Sequence, residues 1–116
     1  MLGKLLKIFG GGEASYQSIS ANALQEALKT NPKAQLLDVR SPNEFQSGHI
    51  AKSKNINVMA PGFKSQIESL DKSKTYYVYC RSGMRSARAC KIMAKNGFEQ
   101  VYNLKGGVMG WNGKLV

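Results

Sequence analysis

One stretch of this chain carries residue types and spacing suited to chemistry. Cys80-Arg81-Ser82-Gly83-Met84-Arg85-Ser86 begins where the apolar run Tyr76-Tyr77-Val78-Tyr79 stops. A cysteine at the carboxyl end of a buried strand, followed by a short glycine-containing loop and a helical pattern, is an arrangement for making a reactive thiolate. The turn into the helix aims successive backbone N–H groups at the sulfur, and the helix dipole adds partial positive charge. Arg81 and Arg85 add two full charges nearby. All three effects favour the ionised sulfur, so the Cys80 thiol is expected to titrate below a free cysteine, about 8.5. An inert strand-end cysteine would have no use for two arginines and a glycine around it.

The elements that must hold this loop alternate between strands and helices. Tyr16 to Ile19 reads as a short strand and Ala21 to Lys29 as a helix, with Ala23, Leu24, Ala27 and Leu28 on its apolar side, ended by Asn31-Pro32. Ala34 to Val39 is a buried strand. Ser41-Pro42-Asn43-Glu44 carries a helix-start signature: serine at the cap, proline at the first helical position, and glutamate three residues after the cap. Gly48 keeps that helix short. Ile50 to Val58 reads as a weaker strand region, and Phe63 to Leu70 as a short helix after the Pro61-Gly62 break. The strand Lys74 to Tyr79 and the helix Arg85 to Lys95 follow, with Asn96-Gly97 as a left-handed cap. Gln100 to Asn103 is the last strand, before Gly106-Gly107 and a terminal helical turn around Trp111. This alternation predicts an α/β fold with right-handed crossovers and a parallel or mostly parallel sheet, helices covering both faces. In such sheets ligands bind beyond the carboxyl ends of the strands. Leu37-Asp38-Val39-Arg40 and Tyr79-Cys80-Arg81 both arrive at that edge.

With 116 residues, 42% of them hydrophobic and 21% charged, the chain suits one domain with a substantial core. Residues 1–14 read as an N-terminal leader and 15–116 as the domain. The leader interrupts its apolar residues too soon for a secretory segment, and no apolar run approaches the roughly 20 residues that span a bilayer. A cytoplasmic protein without a transmembrane segment is expected.

The net charge is +10, from 17 Lys+Arg against 7 Asp+Glu. Arg81, Arg85, Arg88, Lys91 and Lys95 lie between Cys80 and Phe98 with no acidic residue among them. No nucleic-acid-binding motif accompanies this balance, so a nucleic-acid partner is not expected. A positive mouth that draws small anions or an acidic partner protein explains the clustering better. Cys80 and Cys90 lack the spacing of a redox or zinc pair. On a helical wheel Cys90 falls with Ser86, Ala89, Met93 and Gly97, opposite Arg88, Lys91 and Lys95, and is a small core residue. With His49 the only histidine, a metal site is not expected.

Taken in order, five segments resemble the single-domain rhodanese-like sulfurtransferases. They are Leu36-Leu37-Asp38-Val39-Arg40-Ser41-Pro42-Asn43-Glu44-Phe45, Gly48-His49-Ile50, Asn55-Ile56, Tyr79-Cys80-Arg81-Ser82-Gly83-Met84-Arg85-Ser86-Ala87, and Leu104-Lys105-Gly106-Gly107 with Trp111. The resemblance covers nearly the whole chain after the leader. It implies a five-stranded, mostly parallel sheet and a cofactor-free enzyme in which Cys80 accepts a sulfane sulfur as a persulfide and passes it on. The donor would be a small anion such as thiosulfate. The acceptor would be cyanide in the test tube, and a thiol or partner protein in the cell. The backbone of Arg81, Ser82, Gly83, Met84 and Arg85 would form an anion nest, and the side chains of Arg81 and Arg85 would draw the donor, Arg85 taking the larger share. Ser86, Asp38 and Arg40 would support the loop. Asp38 and Arg40 have two readings, a pair facing the crevice or a structural ion pair unrelated to turnover. His49 and Trp111 are expected to be structural.

Two other functions compete. A phosphatase of the Cys-x5-Arg type also holds a thiolate in an anion loop, but here only four residues separate Cys80 from Arg85. The shorter loop suits a single sulfur better than a tetrahedral phosphate. A relay module passing sulfur only between proteins would use the same chemistry at Cys80.

Overall fold

The computed structural model describes residues 15–116. The leader expected at 1–14 lies outside the described residues. Five strands, β1 (Gln17–Ile19), β2 (Gln35–Asp38), β3 (Lys54–Asn55), β4 (Thr75–Tyr79) and β5 (Gln100–Leu104), alternate with four helices. These are α1 (Ala21–Thr30), α2 (Pro42–Ser47), α3 (Phe63–Glu68) and α4 (Met84–Lys95), and a 3-10 turn at Gly107–Gly110 follows β5. The strands form one parallel sheet in the order β1-β5-β4-β2-β3. The expected α/β class and five-stranded sheet are what the chain adopts.

Sequence patterning accounts for the layers. β4 and β2 are apolar on both sides because both sheet faces are covered. Tyr76, Val78 and Cys80 point to the face packed by Phe63 and Ile67 of α3 and by Ala89, Cys90 and Met93 of α4. Tyr77 and Tyr79 point to the opposite face, against Leu24 of α1, Leu104 and Trp111. Each large apolar side chain so buried contributes about 1.5–3 kcal/mol. Ser41 and Glu44 form the expected capping box at α2, with Pro42 in its first turn. Gly97 closes α4 at φ +93°.

Two elements differ from expectation. Of the region Ile50 to Val58, only Lys54–Asn55 pairs as a strand. Lys52 turns the chain at φ +69°, and Ile50 instead bridges the C-terminal Leu115 in antiparallel fashion. The terminal turn spans Gly107–Gly110 and is 3-10, with Trp111 already extended because its ring packs on the α1 face.

The strand order makes β4 the centre of the sheet. Cys80 therefore leaves the middle of the carboxyl edge, with β2 and β5 on either side.

Candidate active site

Cys80 sits 1% exposed where β4 meets the loop into α4. Gly83 takes φ +107°, a conformation that favours glycine, and turns its N–H onto Cys80 Sγ at 3.1 Å. The Ser86 N–H in the first turn of α4 and the Ser86 hydroxyl both lie 3.3 Å from the same sulfur. Burial pushes the Cys80 thiol up. Hydrogen bonds from the Ser86 hydroxyl and from the backbone N–H groups of Ser86, Gly83 and Ser82 outweigh it, so the net direction is downward. The lowering rests chiefly on local donors at a helix N-terminus. Ser86, expected as a support, is a direct partner of the sulfur.

The loop is clamped from below by the 3-10 turn. Val108 N–H donates to the Cys80 carbonyl at 2.9 Å and Met109 N–H to the Arg81 carbonyl at 3.0 Å. The turn can come this close because Gly107 has no side chain. A Cβ there would stand 2.4 Å from the Arg81 oxygen and 2.5 Å from the Cys80 oxygen.

Arg85, expected to draw the donor, has a carboxylate partner that the sequence did not announce. Its two terminal nitrogens donate to the two carboxylate oxygens of Glu44 at 2.8 and 2.9 Å. The guanidinium holds the Glu44 carboxyl down at about 2, and Glu44 raises Arg85 in turn. The Arg85 charge is matched, and it ties the start of α4 to the start of α2. Arg81, Ser82 and Met84 are exposed around the loop.

Residues 20–114 match the rhodanese-like domain family. The chain belongs to that family. Among its relatives, YqhL of Bacillus subtilis, named as an uncharacterized protein, is 45% identical over 83 residues. That match covers 72% of this chain and 64% of the relative, so the chain spans just under two thirds of YqhL. A second B. subtilis protein, provisionally named sulfurtransferase YtwF, is 37% identical over 98 residues, covering 84% of this chain and 92% of the relative. The crystal structure of a rhodanese-related protein from Thermoplasma volcanium superposes with a TM-score of 0.76 at 34% identity, covering 87% of this chain and 98% of that one. Membership supports sulfur transfer as the general chemistry of this rhodanese-like domain.

The supporting residues of the rhodanese-like domain sort by geometry. Arg40 meets Asp38 through both carboxylate oxygens, at 2.6 to 3.0 Å, and donates to the Gly48 carbonyl at 2.7 Å. Asp38 is 0% and Arg40 6% exposed, and the guanidinium lies 5.8 Å from the Tyr79 ring centroid. The hydrogen bond to Asp38 is the main cause raising the Arg40 pKa. The buried ion pair closes the turn after β2. Asn55 supports the same turn by donating to the Asp38 and Arg40 carbonyls.

His49 packs on α2. Its ring stacks on Phe45 at 3.7 Å, and its Nδ1 donates to the Phe45 carbonyl, which can only accept. Its backbone pairs with Val116. Cys90 is fully buried in α4, and burial pushes its thiol far up.

Two site residues escaped the sequence reading. Glu44 was legible as a cap but not as the partner of Arg85, which comes 41 residues later. Asn103, at the end of β5, accepts from the Ser86 hydroxyl at 2.5 Å and donates to the Gly83 carbonyl at 3.2 Å. A polar residue ending a buried strand at the edge that carries Cys80 was the available signal.

Proposed function

We propose that this rhodanese-like domain moves a sulfane sulfur through a persulfide on Cys80, from a small anionic donor to a thiophilic acceptor. The observation that carries this reading is the convergence of the Gly83 and Ser86 N–H groups and the Ser86 hydroxyl on one buried sulfur. In the first step the Cys80 thiolate attacks the outer sulfur of thiosulfate. The donor's S–S bond breaks, and sulfite leaves with the electron pair. Negative charge now rests on the terminal sulfur of the persulfide, where the loop N–H groups of residues 81–85 stabilise it. In the second step cyanide, or a thiol of the cell, attacks that outer sulfur and returns the thiolate to Cys80.

Arg81 is the loop cation available to attract the donor, since Arg85 is paired with Glu44. Arg85 acts by fixing the loop. The buried position of Cys80 favours a slim donor that presents its sulfur end-on. The same pairing of Arg85 argues against a phosphatase, which would need that guanidinium for a phosphate dianion.

The experiment is steady-state kinetics with thiosulfate and cyanide, following thiocyanate. A two-step displacement gives parallel double-reciprocal lines, and Cys80→Ser removes the activity. Intersecting lines, or activity surviving in Cys80→Ser, would overturn the reading.

A further inference from the structure

The Ser86 hydroxyl has one proton and two acceptors. Asn103 Oδ1 lies 2.5 Å from it and Cys80 Sγ 3.3 Å. The amide of Asn103 has no freedom to turn over. Its Nδ2 faces the Gly83 carbonyl, which can only accept, so Oδ1 must face Ser86 and must itself accept. Asn103 is 7% exposed and Ser86 0%, which leaves water little access to satisfy whichever acceptor the proton deserts.

We propose that Asn103 is a positioning residue that competes with Cys80 for the Ser86 proton. When Cys80 is a bare thiolate the hydroxyl turns to the sulfur. When the sulfur carries a proton or a second sulfur atom, it turns back to Asn103. A thiol can then donate its own proton to the Ser86 oxygen, and a persulfide moves its charge outward to the loop N–H groups. Asn103 so weakens the thiolate's hold on its donor, and makes the donor available only while the inner sulfur is charged. The inference rests on the reading of Cys80 as the working thiolate.

Other groups around Cys80 do not supply this competition. Asp38 and Arg40 after β2 are paired with each other, as are Glu44 of α2 and Arg85 of α4. Arg81 is exposed, and Cys90 of α4 is a buried thiol whose pKa is raised.

The test is the pH dependence of alkylation at Cys80 by neutral iodoacetamide, in a Cys90→Ser background. Asn103→Leu should lower the midpoint by about half to one unit, the equivalent of one neutral hydrogen bond, because the Ser86 proton is freed for the sulfur. Ser86→Ala should raise the midpoint, and Asn103→Leu should then have no further effect. An unchanged midpoint in Asn103→Leu, or the same shift persisting without the Ser86 hydroxyl, would overturn the proposal; the latter would mean that Asn103 acts only through Gly83.

Should Asn103→Leu fail to fold, the side-chain amide resonance of Asn103 is followed by NMR in the unsubstituted protein through the Cys80 titration. It should move with the sulfur's ionisation and stop doing so in Ser86→Ala. No movement, or equal movement in both, contradicts the proposal. Neither measurement requires sulfur transfer, so loss of the proposed activity and loss of this inference are separable.

Discussion

Arg85 and Glu44 meet fork to fork, two parallel hydrogen bonds of 2.8 and 2.9 Å joining the helix that follows the Cys80 loop to the helix that follows β2. Glu44 also accepts from the Ser41 backbone N–H and hydroxyl. One carboxylate thus completes a helix cap and holds the loop arginine.

Acid should undo that junction. Glu44 titrates at about 2 in the folded chain, chiefly through its bonds to Arg85, and near 4.5 otherwise. A depressed carboxyl contributes stability that is complete above its unfolded value and is lost as pH falls through the folded one. Stability should therefore decline from about pH 5 towards pH 2. Glu44→Gln should reduce stability at pH 7 by about 1 kcal/mol, after allowance for solvent screening, and flatten that decline. Thermal melts across pH check both; equal acid sensitivity in the two proteins would remove Glu44 as its cause.

Asp38→Asn should be costly for a different reason. It leaves the Arg40 guanidinium, only 6% exposed, without its carboxylate. Unpairing a buried charge costs about 3–5 kcal/mol. Denaturant unfolding should show a loss of this order, while the folded fraction keeps its Cys80 reactivity. Loss of that reactivity in folded protein would restore Asp38 to the chemistry.

Gly107→Ala tests the clamp beneath the loop. The added Cβ would overlap the Cys80 and Arg81 carbonyl oxygens, so the 3-10 turn must back away. Transfer should fall roughly tenfold or more, since misplacement of about 1 Å costs up to about a hundredfold. Stability should fall by about 1–3 kcal/mol, because Gly107 also sits at positive φ. Full activity in the variant would mean that the loop geometry tolerates the shift.

Cys90 should be silent. It is fully buried and burial pushes its thiol up, so it should be alkylated only when the chain unfolds. Thiol counting in native buffer and in denaturant should give one fast cysteine and then two. Two fast cysteines in native buffer would contradict its burial.

Long regular signals were legible in the sequence, and tertiary partnerships were not. The run of residues 74–79 and the helical pattern of residues 85–95 declared themselves because buried strands and amphipathic helices impose their own residue spacing. The cap at Ser41-Pro42-Asn43-Glu44 was equally plain, since every contact in it is local. β3 was blurred because two residues at a sheet edge carry no periodicity. The Glu44 partner of Arg85 was missed for the same physical reason that Asn103 was overlooked. Glu44 lies 41 residues from Arg85, and Ser86 lies 17 from Asn103, so only the folded chain brings each pair together.

Whether Cys80 carries the sulfur is decided by intact mass spectrometry of the purified protein after exposure to thiosulfate, beside Cys80→Ser and Cys90→Ser. If Cys80 is the acceptor, the unsubstituted protein and Cys90→Ser should each gain one sulfur atom, lost on addition of cyanide and absent in Cys80→Ser. A cyanide-labile sulfur retained by Cys80→Ser, or no gain in a protein whose Cys80 is still readily alkylated, would contradict it.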